Sequence, residues 1–299
     1  MTFIDFLLHL FYLVDTELKA LNLPRLRRRG PAPTLDDSEV ITIELAGEFR
    51  GIDTDEGIFD FFRTYHLAEF PALARVDRTT FTRQAANLWK VKQLLHQRLF
   101  EHLPVTPDQA VWILDSFPLH VCRFARARFS KCFKGQADYG RDPVIANTFY
   151  GFRVHLRYLR GGAIAQLELT PAHASDLSMV YELAPPQGGT GLADRNYWGP
   201  LDIQQLQQEN GFVLLAPFRS KTHDPQPQSS RVLLRIRRLI ETVTGQLAER
   251  FHAKRTWARD LWHLCNRLIR KVLSHTAAVL LNIQQGNPPL QLAKLVAHG

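Results

Sequence analysis

Cysteine is scarce in this chain: 299 residues carry three, Cys122, Cys132 and Cys265, an odd number without Cys-x-x-Cys spacing. A disulfide framework is excluded, and the pattern points to a reducing, cytoplasmic setting. His120, Cys122, Cys132 and His263 fit no usual zinc spacing, so the thiols are expected as buried apolar groups. Long apolar runs are missing as well. The stretch from Thr2 to Leu21 is interrupted by Asp5, His9, Asp15, Glu17 and Lys19 and follows no basic residue, so it is expected as an amphipathic helix, neither a membrane span nor a secretory signal. No Gly-rich phosphate loop and no internal repeat occur, which leaves nucleoside triphosphate use without support.

What is present is an ordinary globular composition, 45% hydrophobic, with a net charge of +8. That rules out disorder of the whole chain and favours an anionic partner, nucleic acid first among them.

Three acids stand in settings that suit metal chemistry. Val111 to Leu114 is a short apolar run closed by Asp115 and followed by Pro118, which predicts a buried strand ending at the acid. Gly191, Leu192 and Ala193 lead into Asp194 in the same way, before Arg195 to Pro200 turn the chain. From Arg231 to Phe251, apolar residues at 233, 236, 240, 243, 247 and 251 have helical spacing, and Glu241 falls at the edge of that stripe. Singly, an Asp after a strand is a turn former or helix cap, and a Glu among arginines is half of a surface ion pair. As an ordered Asp, Asp, Glu set on rigid elements they read as oxygen ligands of a two-metal phosphoryl-transfer site.

The organisation around them is read from caps and periodicity. Pro24 to Pro33 is a basic linker containing Arg27 and Arg28, either a solvated connector or a phosphate-binding arm. Asp36 with Glu39 predicts a helix to about Phe49, and a second helix is expected over Asp55 to Tyr65. A third runs from Asp77 to about Leu99, with Arg78, Arg83, Lys90, Lys92 and Arg98 on its outer faces. This is a helix-turn-helix-like region or a helical cap with a charged surface. Beyond Val111, strand signals take over: Phe149 to Leu159 and Ala163 to Leu169 form a hairpin about Gly161 and Gly162, with Arg153, His155 and Arg157 as a basic row able to face DNA. His155 is expected to be structural. A helix capped by Ser175 or Asp176, the strand to Asp194, a helix from Pro200 and a strand from Gly211 follow. The last helix is expected over Trp257 to Asn282, with Arg259, Arg267, Arg270 and Lys271 outside. The whole predicts an α/β fold with a mixed sheet, behind an all-helical leader.

The segments LDSFPLHVC (Leu114 to Cys122), DRNY (Asp194 to Tyr197) and RRLIET (Arg237 to Thr242) resemble the DDE transposases of bacterial insertion sequences, most closely the family numbered nine-eight-two. Asp37 to Arg63 and Phe70 to Trp89 are similar to that family's helical leader, so the resemblance covers most of the chain. It departs at Asn196, where relatives commonly carry Gly, and at Ala248, where many carry Lys.

The resemblance implies a ribonuclease-H-like catalytic core over residues 105–299, behind a helical, DNA-binding domain over 1–104. It implies Asp115, Asp194 and Glu241 as catalytic residues and ligands of magnesium, with manganese as a substitute. Asp115 is then expected to bridge two ions while Asp194 and Glu241 hold one each. Double-stranded DNA, both terminal inverted repeats and target, is the expected partner of a homodimer. Arg27, Arg28, Arg83, Lys90, Arg153 and Arg237 are the expected DNA contacts. A metal nuclease that joins nothing and a catalytically silent, transposase-derived DNA-binding protein are the alternatives.

Overall fold

The computed structural model describes residues 1–24, 32–104, 111–142, 146–220, 222–236 and 238–296. Its elements run α1 (Phe3–Leu21), α2 (Asp37–Phe49), α3 (Asp55–Tyr65), α4 (Arg78–Asn87), α5 (Trp89–Glu101), β1 (Val111–Cys122), β2 (Asp138–Asp142), β3 (Asn147–Leu159) and β4 (Ile164–Pro171). Then follow α6 (Val180–Leu183), β5 (Gly189–Leu192), α7 (Pro200–Asn210), β6 (Phe212–Leu215), α8 (Pro227–Ile236), α9 (Arg238–Gly245) and α10 (Leu261–Gln284). They form two compact units: Met1–Leu103 with Gln246–Gly299, and Pro104–Gly245.

The first unit is helical. α1 opens with a reciprocal capping box between Thr2 and Asp5, α2 with the predicted box between Asp36 and Glu39, and α3 with the Thr54 hydroxyl accepting from the Gly57 N–H. α2 is buried almost all round, and α10 packs on α2 and α5. The sequence reading placed α10 in the same domain as the strands, but its contacts are with the N-terminal helices. It begins at Leu261, capped by Asp260, and not at Trp257.

Two further expectations change here. The helix read from Asp77 to Leu99 is two helices broken at Leu88, and the Lys92 ammonium donates to the Ala85 carbonyl at 3.0 Å, placing a cation at the C-terminal end of α4. Lys92, Arg270 and Lys271, read as outward, are fully buried. They meet Glu44 and Glu48 of α2 and Asp55 of α3: Lys92 pairs with Glu44, Lys271 with Glu48 at 2.6 Å, Arg270 with all three acids, and Arg267 with Asp55. Asn266 bridges Lys92 and Glu44. Apolar stripes predict which face of a helix is greasy; they do not show that the opposite face meets buried acids.

The second unit is built on a mixed six-stranded sheet. Its order is β2-β3-β1-β5-β6, and β4 pairs with the same edge of β3 as β2, farther along the strand. β3 runs antiparallel to both β1 and β4, whereas β5 and β6 add in parallel on the other side of β1. β1 does not end at Asp115 but continues to Cys122 through Pro118. Proline is tolerated there because β5 pairs with β1 only as far as Ile113, so that beyond that point one edge of β1 has no strand partner among the described residues. The stretch read as a helix over Arg231 to Phe251 is helical on both sides of residue 237, which lies outside the described residues, and passes into a π-helical turn at Gln246–Arg250. Neither β2 nor the 3₁₀ turn at Phe124–Phe129 was anticipated.

Candidate active site

The pairing of β1 with β5 decides where the first two acids lie. Val111 is opposite Thr190, Trp112 opposite Gly191 and Ile113 opposite Leu192. Asp115 and Asp194 each follow the last pair by two residues. They therefore lie at one level on neighbouring parallel segments, on the face shared by Ile113 and Leu192. Asp194 is just past the end of β5, in extended backbone.

Asp115 is buried, and the Thr244 hydroxyl of α9 donates to its Oδ2 at 3.4 Å. Glu241 is exposed and precedes Thr244 by three residues, so the two lie about 60° apart on one side of α9. The carboxylate of Asp194 is held by Asn196: Oδ1 accepts from the backbone N–H at 2.8 Å and Oδ2 from Nδ2 at 3.2 Å. A glycine at 196 supplies only the first of these bonds. The cap role considered for Asp194 is thus real, since it opens the 3₁₀ turn Arg195–Tyr197.

Tyr197, two residues beyond DRN's arginine, is fully buried, and its hydroxyl has no hydrogen-bond partner among the described residues. Burial first, then the charges of Asp176, Asp115 and Asp194, hold its pKa well above the ordinary phenol value. In the sequence Asn196 stands out only as a departure from the family pattern and Tyr197 only as part of DRNY, and Thr244 not at all. Thr244 and Asn196 act through tertiary or turn contacts that local periodicity does not report.

The predicted basic row does not face an open surface. Arg153 is largely buried and lies 3.5 Å from Asp176, while the Ser116 hydroxyl beside Asp115 donates to Asp176 at 2.6 Å. Arg157 donates to the Leu183 carbonyl and lies over the Trp112 ring. His155 is buried against Thr170, and burial together with Arg153 lowers its pKa to about 4. Asp176 therefore pairs with Arg153, and Ser175 supplies the cap contact to the Ser178 N–H.

Among the described residues, no three His, Cys, Asp or Glu side chains form a group able to hold a metal ion. Asp115 and Asp194 share a level and α9 reaches Asp115, but the three carboxylates are not gathered on one point. The donors themselves are hard oxygens, chemically suited to magnesium or manganese. Arg83 and Lys90 are exposed on α4 and α5; Arg27, Arg28 and Arg237 lie outside the described residues. The three cysteines are free and half-buried, less buried than expected.

A family profile described as transposase DDE domain matches residues 106–260, just over half of the chain. The chain belongs to the transposase DDE domain family. No curated protein and no solved structure matches it. In this transposase the matched stretch takes in Asp115, Asp194 and Glu241 and ends at the residue that caps α10. No helix among its described residues is long and apolar enough to cross a membrane.

Proposed function

We propose that this transposase cuts DNA at the terminal inverted repeats of an insertion sequence and joins the freed 3′-hydroxyl ends to target DNA, as in the nine-eight-two family. The observation carrying the proposal is the shared level of Asp115 and Asp194 set by the β1–β5 register, within a chain of the DDE family. An antiparallel β4-β3-β1 set extended by parallel β5 and β6 is the strand arrangement expected of a ribonuclease-H-like core.

Asp115, Asp194 and Glu241 would hold the metal ions. Bound magnesium or manganese supplies charge stabilisation for the attacking and leaving oxygens of the phosphodiester. The chain's own contribution is positional: Thr244 fixes the Asp115 carboxylate, Asn196 fixes that of Asp194, and exposed Glu241 is free to turn toward them. Arg27, Arg28, Arg83, Lys90 and Arg237 are assigned to DNA phosphates, and two copies are assigned to one DNA complex. Arg153 is better explained by its pairing with Asp176.

Cleavage and joining of the DNA that flanks this reading frame, with and without magnesium, tests the proposal. Asp115→Asn and Glu241→Gln should each abolish cleavage while leaving DNA binding intact. Glu249→Gln should change it little: Glu249 lies eight residues on, in the π-helical turn, and falls in the helical unit, outside the one carrying Asp115. Full cleavage by Glu241→Gln would remove that residue from the site, and cutting without joining would favour the nuclease alternative.

A further inference from the structure

The connection from β1 into β2 carries a concentration of charge and aromatic surface that the catalytic reading does not use. Between Arg123 and Arg141 the chain has six cations, Arg123, Arg126, Arg128, Lys131, Lys134 and Arg141, against the single acid Asp138. All six are exposed, and none has a carboxylate partner among the described residues. The acids nearest in sequence are engaged elsewhere, Asp138 with His173 at 3.0 Å and Asp142 with His120 at 3.1 Å.

Large rings are interleaved with these cations. Phe124 is 56% exposed, Phe129 71% and Tyr139 43%. Phe124 meets Tyr139 edge-on at 6.0 Å, which joins the 3₁₀ turn to β2, and the Arg128 guanidinium lies over the Phe129 ring at 4.5 Å. Tyr139 and Arg141 share a face of β2, being two residues apart. The turn is anchored from below by buried Ala127 and Phe133, so the exposed rings are held out by a packed base.

Exposed phenyl rings on a folded unit cost solvation free energy unless something covers them. Unpaired cations alternating with flat apolar surfaces complement a chain of phosphates alternating with flat bases. In a duplex the base faces are already stacked on each other, so only an unstacked strand satisfies both halves of the pattern. We propose that the Arg123–Arg141 surface holds an unstacked stretch of DNA strand, its rings on bases and its cations on phosphates. The inference rests on DNA being this transposase's substrate.

Fluorescence anisotropy with the full chain tests it, using a labelled single-stranded oligonucleotide and its duplex over a series of salt concentrations. The paired change Phe124→Ala with Phe129→Ala should weaken single-strand binding by roughly ten-fold or more and leave duplex affinity unchanged. Replacing Arg123, Arg126 and Arg128 by Gln should lower the slope of log affinity against log salt by about 2 for the single strand, at about 0.7 per phosphate contact. All five side chains are exposed, so unfolding midpoints should match the parent. Parental single-strand affinity and slope in both variants would overturn the proposal. So would equal weakening of duplex and single strand by the ring variant, or a charge variant that loses binding only to phosphatidylserine vesicles. Cleavage measured alongside separates the two readings: a parent that cuts DNA while both variants bind normally removes the patch alone, and a parent that binds through the patch but never cuts removes the transposition reading alone.

Discussion

Arg270 has no exposed surface, and its charge is kept by neighbours. Burial alone would lower its pKa; Glu48, Asp55 and Glu44 outweigh that and raise it. Asp55 shows the complement, where burial opposes ionisation but Arg270 and Arg267 hold the carboxyl well below its usual range. For Lys92 and Lys271 burial is the stronger influence, and both are lowered despite Glu44 and Glu48. Such a cluster contributes little net stability when intact, but losing one partner leaves opposite charge buried and uncompensated. Arg270→Met should therefore cost about 3–5 kcal/mol, read as a lower urea midpoint for the helical unit. A cost below about 1 kcal/mol would mean that Glu48 and Asp55 find other partners. None of this was legible in the helix pattern, because α10 is buried on all sides from Leu268 to Asn282, with polar residues interspersed among the apolar ones.

Strand β5 is only four residues long, yet it sets the level of Asp194. Gly191 sits in it opposite Trp112 on one side and Leu214 on the other. A Cβ at 191 would stand 2.3 Å from the Phe212 ring, so a side chain there must push β6 away. Gly191→Ala should destabilise the sheet unit by about 1–3 kcal/mol and reduce DNA cleavage through the displaced Asp194. Adding Phe212→Leu should recover part of the stability; no recovery would place the strain elsewhere than at the ring. The sequence showed Gly191 only as the start of a run toward Asp194. The close approach that demands glycine is a property of β6, twenty-one residues on.

Across the whole molecule, two buried histidines make stability depend on pH in the same direction. Burial lowers His155 to about 4 in the sheet unit and His275 to about 3 in the helical unit. Unfolded, each binds a proton near pH 6.5, so between that value and the folded pKa the unfolded chain holds more protons. Stability is then complete above about pH 6.5 and falls as pH drops, by on the order of 3 kcal/mol for His155 by pH 4. Urea midpoints measured from pH 7 to 4 should decline, and His155→Gln should flatten the decline in the sheet unit; an unchanged slope would show that His155 is not the group responsible. What the sequence by itself determined is local: the capping box of α2, the hairpin, the alternation of strands and helices beyond Val111, and the motifs that resemble DDE transposases. Each depends on residues a few positions apart, where propensity and periodicity act directly. Tertiary structure alone decided that α10 packs with the N-terminal helices, that Lys92, Arg270 and Lys271 point inward, that Asp176 neutralises Arg153, and that Asp115 and Asp194 share a level. Those outcomes follow from strand register and from charges paired over tens to hundreds of residues, interactions that exist only once distant segments have met.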